Sequence, residues 1–282
     1  VIQDQYADAT LILVGHGTTQ NESSSATVLD HVAQLRQRGV FREVRAAFWK
    51  QDPQVETVLL ETTSPRVFLV PFFISEGYFS DVVIPKALGF LDESGTLHRR
   101  LSVGAQLRFY TKPVGSHPAM TEVILTRARE VVKQFPFPRA PKAAETTLFI
   151  AGHGTEKHSK SRQAIDLQVE RISSLGIFKA VHAVFMEEPP KIADCYQLAT
   201  THCLVVVPFF ASDGLHVVED IPVLLGEAAP VVRRRLEAGR PTWRNPTEKQ
   251  GKLVWYSHSV GAEPSMANVI LELVQEASAA NA

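Results

Sequence analysis

Along the chain, short apolar runs bounded by glycine or proline alternate with longer segments in which apolar residues recur every three or four positions. The runs Leu11–Val14 (LILV), Val67–Val70 (VFLV), Leu148–Ala151 (LFIA) and Leu204–Val207 (LVVV) are rich in β-formers. Such runs read as buried parallel strands, apolar on both faces because helices cover both. Between them, Val28, Val32 and Leu35 form an i, i+4, i+7 stripe, and Ile165, Val169 and Ile172 form another. That spacing predicts amphipathic helices with one face on a sheet. Strand and helix in alternation predict a doubly wound α/β architecture, with a mostly parallel central sheet of about four strands in each half and helices on its flanks.

The pattern is written twice. Leu11–Thr18 (LILVGHGT) returns as Leu148–Thr155 (LFIAGHGT), and Val70–Phe73 (VPFF) returns as Val207–Phe210. The register is constant between these anchors, pairing Gly39 with Gly176, Phe48 with Phe185, Gly77 with Gly214 and Ile84-Pro85 with Ile221-Pro222. Later, Tyr110–Leu125 (YTKPVGSHPAMTEVIL) matches Tyr256–Leu271 (YSHSVGAEPSMANVIL), which places an insertion in the second copy within 226–252. The proline-rich stretch Phe135–Lys142 (FPFPRAPK) reads as a linker. The repeats are therefore drawn as 1–142 and 143–282.

Composition narrows the function classes. Hydrophobic residues make up 45% and charged residues 21% of 282, the balance of an ordinary globular protein. A net charge of -1 argues against nucleic acid as a partner. Cys195 and Cys203, the two cysteines, are too few for a disulfide framework or a four-thiolate metal site. Val1–Ala9 carries acids and lacks the basic start of a secretory signal, and no apolar run is long enough to span a bilayer. The expectation is a cytoplasmic protein without a membrane partner.

Ligands of open parallel sheets bind beyond the carboxyl ends of the strands, so the chemistry is sought there. After the first strand of each repeat stands a histidine between two glycines, His16 in Gly15-His16-Gly17 and His153 in Gly152-His153-Gly154. After the second strand the second repeat has Glu187, where the first has Lys50. After the third it has His216, where the first has Phe79. Only the second repeat therefore offers two imidazoles and a carboxylate from three strand ends, a ligand set suited to first-row divalent ions. The first repeat carries a degenerate set around His16. The helix following Gly154 and Thr155 offers free N–H groups and a positive dipole end, with Lys157, Lys160, Arg162 and His158 close by. Arg233–Arg235 reads as an exposed helix face. A serine hydrolase is disfavoured by the lack of a G-x-S-x-G elbow.

Four features in this order resemble the class II, ATP-independent sirohydrochlorin chelatases, the cobaltochelatases and ferrochelatases of cobalamin and sirohaem synthesis. They are the strand with Gly-His-Gly, the Phe-x-Glu of Phe185–Glu187, the Val-Pro-Phe-Phe strand leading to Gly214-x-His216-x-x-x-Asp220-Ile221-Pro222, and the Val-Gly-x-x-Pro near each repeat's end. The resemblance implies two tandem chelatase-like domains and a lyase that inserts a divalent metal into a carboxylate-rich tetrapyrrole. Cobalt, iron or nickel would be substrate, and no organic cofactor would be needed. It implies metal handling by His153, His216 and Glu187. Metallation also requires a base near the ring, a role histidine can fill near neutrality, while Glu187 would offset metal charge or relay protons. The macrocycle would be contacted by Gly152, Gly154, Thr155, Lys157, Lys160 and His16. A non-catalytic metal or tetrapyrrole carrier is the alternative reading of the same residues. Long members of this family lead one to expect the complete set in the first repeat, whereas this chain keeps it in the second.

Overall fold

The computed structural model describes residues 5–17, 23–154 and 159–280. The first half contains β1 (Ala9–Gly15), α1 (Ser23–Arg38), β2 (Glu43–Phe48), α2 (Val55–Glu61), β3 (Arg66–Pro71), α3 (Ile84–Ala87), β4 (Arg100–Val103), β5 (Gln106–Tyr110) and α4 (Met120–Gln134). The second continues with β6 (Thr146–Gly152), α5 (Ser159–Ser174), β7 (Ala180–Phe185), α6 (Cys195–Leu198), β8 (Cys203–Pro208), α7 (Ile221–Leu224), α8 (Ala229–Glu237), β9 (Thr247–Lys249), β10 (Lys252–Tyr256) and α9 (Met266–Ala279).

Each half builds a five-stranded sheet, in the orders β2-β1-β3-β5-β4 and β7-β6-β8-β10-β9. Four strands of each are parallel, and the edge strands β4 and β9 run antiparallel to β5 and β10. The apolar runs lie in the inner strands β1, β3, β6 and β8 and are buried throughout, with β5 and β10 also inside the sheets. The fifth strand exceeds the four that the apolar runs suggest. Arg100–Val103 is largely exposed and Thr247–Lys249 is polar and only three residues long, so neither carries a strand-like hydrophobic signal.

The chain divides into two compact units, Val1–Pro118 with Pro264–Ala282, and Ala119–Glu263. This differs from the division at residue 142 drawn from the repeats. The helix ending each repeat is exchanged: α4 packs on β8, β10 and α5 of the second unit, and α9 packs on β3 and α1 of the first. Sequence similarity marks where a copy ends, but a unit is defined by which sheet its terminal helix covers. α9 buries Met266, Val269, Ile270, Leu273 and Val274, and Arg38 in α1 donates to the Asn268 side chain at 2.8 Å. α4 buries Met120, Val123, Ile124, Leu125, Ala128 and Val131, while Thr121 donates to Gln168 in α5 at 2.6 Å.

Within 226–252, α8 is mostly exposed, anchored by buried Val232, and Trp243 is also buried. Arg233 and Arg234 lie on an exposed helix face, Arg233 pairing with Glu219, whereas Arg235 departs from that expectation: it is half-buried, paired with Glu227 and donating to the Thr242 carbonyl oxygen.

Candidate metal-binding site

Three strand exits of the second unit bring the expected residues together. β6 pairs with β7 so that Gly152 lies beside Phe185, and the Glu187 amide donates to the His153 carbonyl oxygen at 3.0 Å. His153 and Glu187 thus leave adjacent strands at one level. The glycines around His153 have different tasks. A Cβ on Gly152 would lie 2.2 Å from Ile165 Cδ1, so this glycine lets α5 close on the strand. Gly154 has φ +68°, and a Cβ there would lie 2.8 Å from Glu188 Cγ. Only glycine adopts that backbone conformation without strain.

His216 opens a wide π-helical turn, His216–Asp220, beyond β8. Buried Tyr256 pins this turn by donating its hydroxyl to the Val217 carbonyl oxygen at 2.7 Å. Burial drives the Tyr256 pKa far above the ordinary phenol value, so the hydroxyl remains a donor. π turns occur often at functional sites because they re-aim side chains.

The imidazoles of His153 and His216 stand with ring centroids 5.0 Å apart and planes at 74°. Two imidazoles on one tetrahedral ion, with metal–nitrogen bonds of about 2.0–2.1 Å, would have centroids about 5 Å apart. The His153 Nδ1 lies 2.8 Å from the Gly154 carbonyl oxygen, and the His216 Nδ1 lies 2.7 Å from Asp220 Oδ2. Each Nδ1 must carry its proton to donate to these acceptors, which leaves the Nε2 lone pairs available. Glu187 Oε1 is 3.7 Å from His153 Nε2, too far for a hydrogen bond but near enough to share an ion. Among the described residues, no three His, Cys, Asp or Glu side chains stand close enough together to hold a metal ion. The site is a histidine pair with an exposed carboxylate beside it, open to solvent.

The first unit keeps the loop and lacks the ligands. His16 Nδ1 lies 2.8 Å from the Gly17 carbonyl oxygen, and the Lys50 amide donates to the His16 carbonyl oxygen at 2.9 Å. Its ring, however, stands edge-on to Phe79 at 4.7 Å, with Lys50 Nζ 5.6 Å from the same phenyl centroid. A phenyl and an ammonium supply no lone pair.

Among the other expected residues, Thr155, Lys157 and His158 lie outside the described residues. Lys160 is exposed in the first turn of α5. Arg162 is committed to structure: it contacts Glu188 at 3.1 Å, donates to the Pro189 carbonyl oxygen and covers the Phe185 ring. Burial pushes the Cys195 thiol up to about 12, so it offers no thiolate. His117 contacts Glu276 at 3.2 Å, away from any strand-end ligand set.

One pair near the site was not foreseen. Asp213, after β8, meets His258, after β10, at 2.7 Å and also accepts the Ser259 amide at 2.7 Å. The signal was faint: the matching positions in the first repeat are Glu76 and Lys112, also an acid and a base. Burial alone would raise the Asp213 pKa, but the bonds from His258 and Ser259 outweigh it and the net shift is downward. The hydrogen bond to Asp213 raises the His258 pKa against partial desolvation. A raised histidine contributes stability below its unfolded pKa and loses it as pH rises through the folded value. The lowered carboxyl contributes above its unfolded pKa and loses this as pH falls through its folded value. Asp213→Asn should therefore lower the melting temperature more at about pH 5.5 than at about pH 9. Thermal melts of both proteins at the two pH values check this, and an equal loss at both would contradict it.

The CbiX family pattern matches residues 10–131 and again residues 147–277. The chain belongs to the CbiX family. The two CbiX matches fall one on each repeat, as the internal register requires. A "Probable sirohydrochlorin cobaltochelatase" of Halobacterium salinarum is 38% identical, with the alignment covering 95% of this chain and 91% of that protein. In structure, this CbiX protein is similar to DR2241 of Deinococcus radiodurans, described as a multi-domain protein with structural similarity to chelatases, with TM-score 0.76 and 25% identity. That match covers 95% of this chain and 54% of DR2241. It is also similar in fold to SirB from Bacillus subtilis with Fe3+, with TM-score 0.69, 14% identity and coverage of 97% and 96%. No described helix of this CbiX protein is long and apolar enough to cross a membrane.

Proposed function

We propose that this chain inserts a divalent cobalt or iron ion into sirohydrochlorin, and that His153, His216 and Glu187 hold the ion before transfer. The observation that carries the site is the pair of imidazoles 5.0 Å apart, each with Nδ1 engaged by an oxygen acceptor. The extensive match to a probable sirohydrochlorin cobaltochelatase supports the reaction.

Metallation exchanges two pyrrole N–H protons for one divalent ion, so the ion must leave its protein ligands as the ring gives up two protons. A closed cage would hold the ion too firmly for this. Two histidines and an exposed carboxylate leave coordination positions for ring nitrogens to enter. As the ion passes to the ring, each Nε2 regains a lone pair and becomes a base for one departing proton. Glu187 offsets the ion's charge while it is bound.

The substrate's carboxylates require cations and N–H donors. Lys160 is an exposed cation at the start of α5, and Gly152 and Gly154 belong to the loop that would lie under the macrocycle. Thr155, Lys157 and His16 complete the proposed substrate contacts. Nickel has the same ligand preferences and belongs in the same test.

The test is anaerobic incubation of the protein with sirohydrochlorin and cobalt(II), iron(II) or nickel(II) separately, following the macrocycle's absorption. A rate above the protein-free background with cobalt or iron is expected. Binding of metal and tetrapyrrole without any such acceleration would instead identify a carrier.

A further inference from the structure

We propose that Asp220 is a positioning residue, which fixes the tautomer and aim of His216 so that Nε2 is the atom offered to the incoming ion. This rests on the reading of His216 as a metal ligand.

The geometry is specific. Asp220 Oδ2 lies 2.7 Å from His216 Nδ1, a short separation for a nitrogen donor and a carboxylate. Both residues belong to the π turn His216–Asp220, its first and last positions. In such a wide turn, side chains four positions apart stand nearly one above the other, so the carboxylate can reach the ring nitrogen nearer the backbone. A proton held on Nδ1 leaves the lone pair on Nε2, the nitrogen farther from the backbone. The adjoining imidazole solves the same problem by another route, with the Gly154 carbonyl oxygen 2.8 Å from His153 Nδ1. His153 leans on a backbone carbonyl oxygen, whereas the exposed His216 has a side-chain acceptor.

The first unit supplies an internal comparison. It has the same π turn, Phe79–Val83, pinned in the same way by a buried tyrosine, with Tyr110 donating to the Ser80 carbonyl oxygen at 2.8 Å. There the positions of His216 and Asp220 are Phe79 and Val83. The turn survives with neither member of the pair, so Asp220 is not needed to form it. The carboxylate accompanies the histidine. A carboxylate that accepts the second N–H of a metal-binding histidine orients the ring and raises its basicity, and its loss typically costs about 10–100-fold in metal affinity.

Asp220→Ala, Asp220→Asn and His216→Ala test this, with cobalt(II) alone titrated by calorimetry and with KM measured separately for cobalt(II) and for sirohydrochlorin. Asp220→Ala is expected to weaken cobalt(II) binding about 10–100-fold and raise the KM for the metal, leaving the KM for the macrocycle within about threefold. Asp220→Asn keeps an oxygen acceptor and should recover most of the loss. The proposal is overturned if Asp220→Ala binds cobalt(II) like the parent while His216→Ala does not, or if Asp220→Asn is as weak as Asp220→Ala. It is also overturned if the KM for the macrocycle rises as much as that for the metal. If His216→Ala itself leaves cobalt(II) binding intact, the site assignment fails first, a result distinct from failure at Asp220 alone. Melting temperatures near the parent's are expected for both Asp220 variants, since the first unit folds this turn around valine.

Discussion

Replacing His153 or His216 by alanine is expected to lower the rate of metal insertion by about 10²-fold or more, while His16→Ala changes it only a few-fold. On the proposed assignment each of the first two variants removes a ligand and a proton acceptor from a site with two imidazoles, so the remaining groups would neither retain the ion nor take both pyrrole protons. His16 faces the Phe79 ring, and the positions matching His216 and Glu187 there are Phe79 and Lys50, which offer no lone pair. Initial rates with cobalt(II) for the three variants, corrected for the spontaneous reaction, decide the matter. An inactive His16→Ala beside a fully active His216→Ala would move the working site to the first repeat.

Gly261→Ala is expected to destabilise the protein by about 3 kcal/mol or more, with a fall in melting temperature of roughly 6–12 °C. A Cβ on Gly261 would lie 2.1 Å from the Ala211 carbonyl oxygen and 2.3 Å from its carbon. The obstruction is backbone, so no side-chain rotation relieves it. Gly261 also donates its amide to the Phe210 carbonyl oxygen at 2.9 Å, so the two loops are already in contact through their main chains. Ala211 lies in the segment leading to His216, and displacing it should weaken cobalt(II) binding as well. The counterpart Gly115 faces Ile74 even more closely, at 1.8 Å, which explains the glycine of the Val-Gly-x-x-Pro motif in both repeats. Gly77→Ala is the control: nothing lies within 4 Å of a Cβ there, and the change should cost less than about 0.5 kcal/mol. Thermal melts of Gly261→Ala and Gly77→Ala that coincide would refute the steric account.

The inner strands were legible because burial on both faces leaves an uninterrupted apolar run, as in β1 and β8. The antiparallel edge strands β4 and β9 were not, because Arg100–Val103 and Thr247–Lys249 owe their conformation to a paired neighbour rather than to burial. The grouping of His153, Glu187 and His216 followed from their places just beyond strand ends, and the structure brings the two imidazoles together. Their tautomers were not legible, since these depend on acceptors that only the folded loops supply. The Asp213–His258 contact was hidden for a related reason: strands β8 and β10 are neighbours in the sheet but distant in sequence. Nor did the apolar stripes of α4 and α9 disclose their destinations. A stripe shows that one face is buried without saying which of two similar sheets will bury it.

The exchange of α4 and α9 has a consequence for synthesis on the ribosome. The second unit, Ala119–Glu263, is contiguous, so all of its elements have been made once residue 263 has emerged. The first sheet is translated earlier but must wait for α9 to cover β3 and pack on α1. The unit begun first is thus completed last, after a long-range closure, and until then it carries an uncovered apolar face prone to association. A released chain truncated after Glu263 should hold a protease-resistant second unit beside a protease-sensitive first one. Likewise, fragments cut at residue 142 would each inherit the other's helix, and neither would be a natural unit for separate expression.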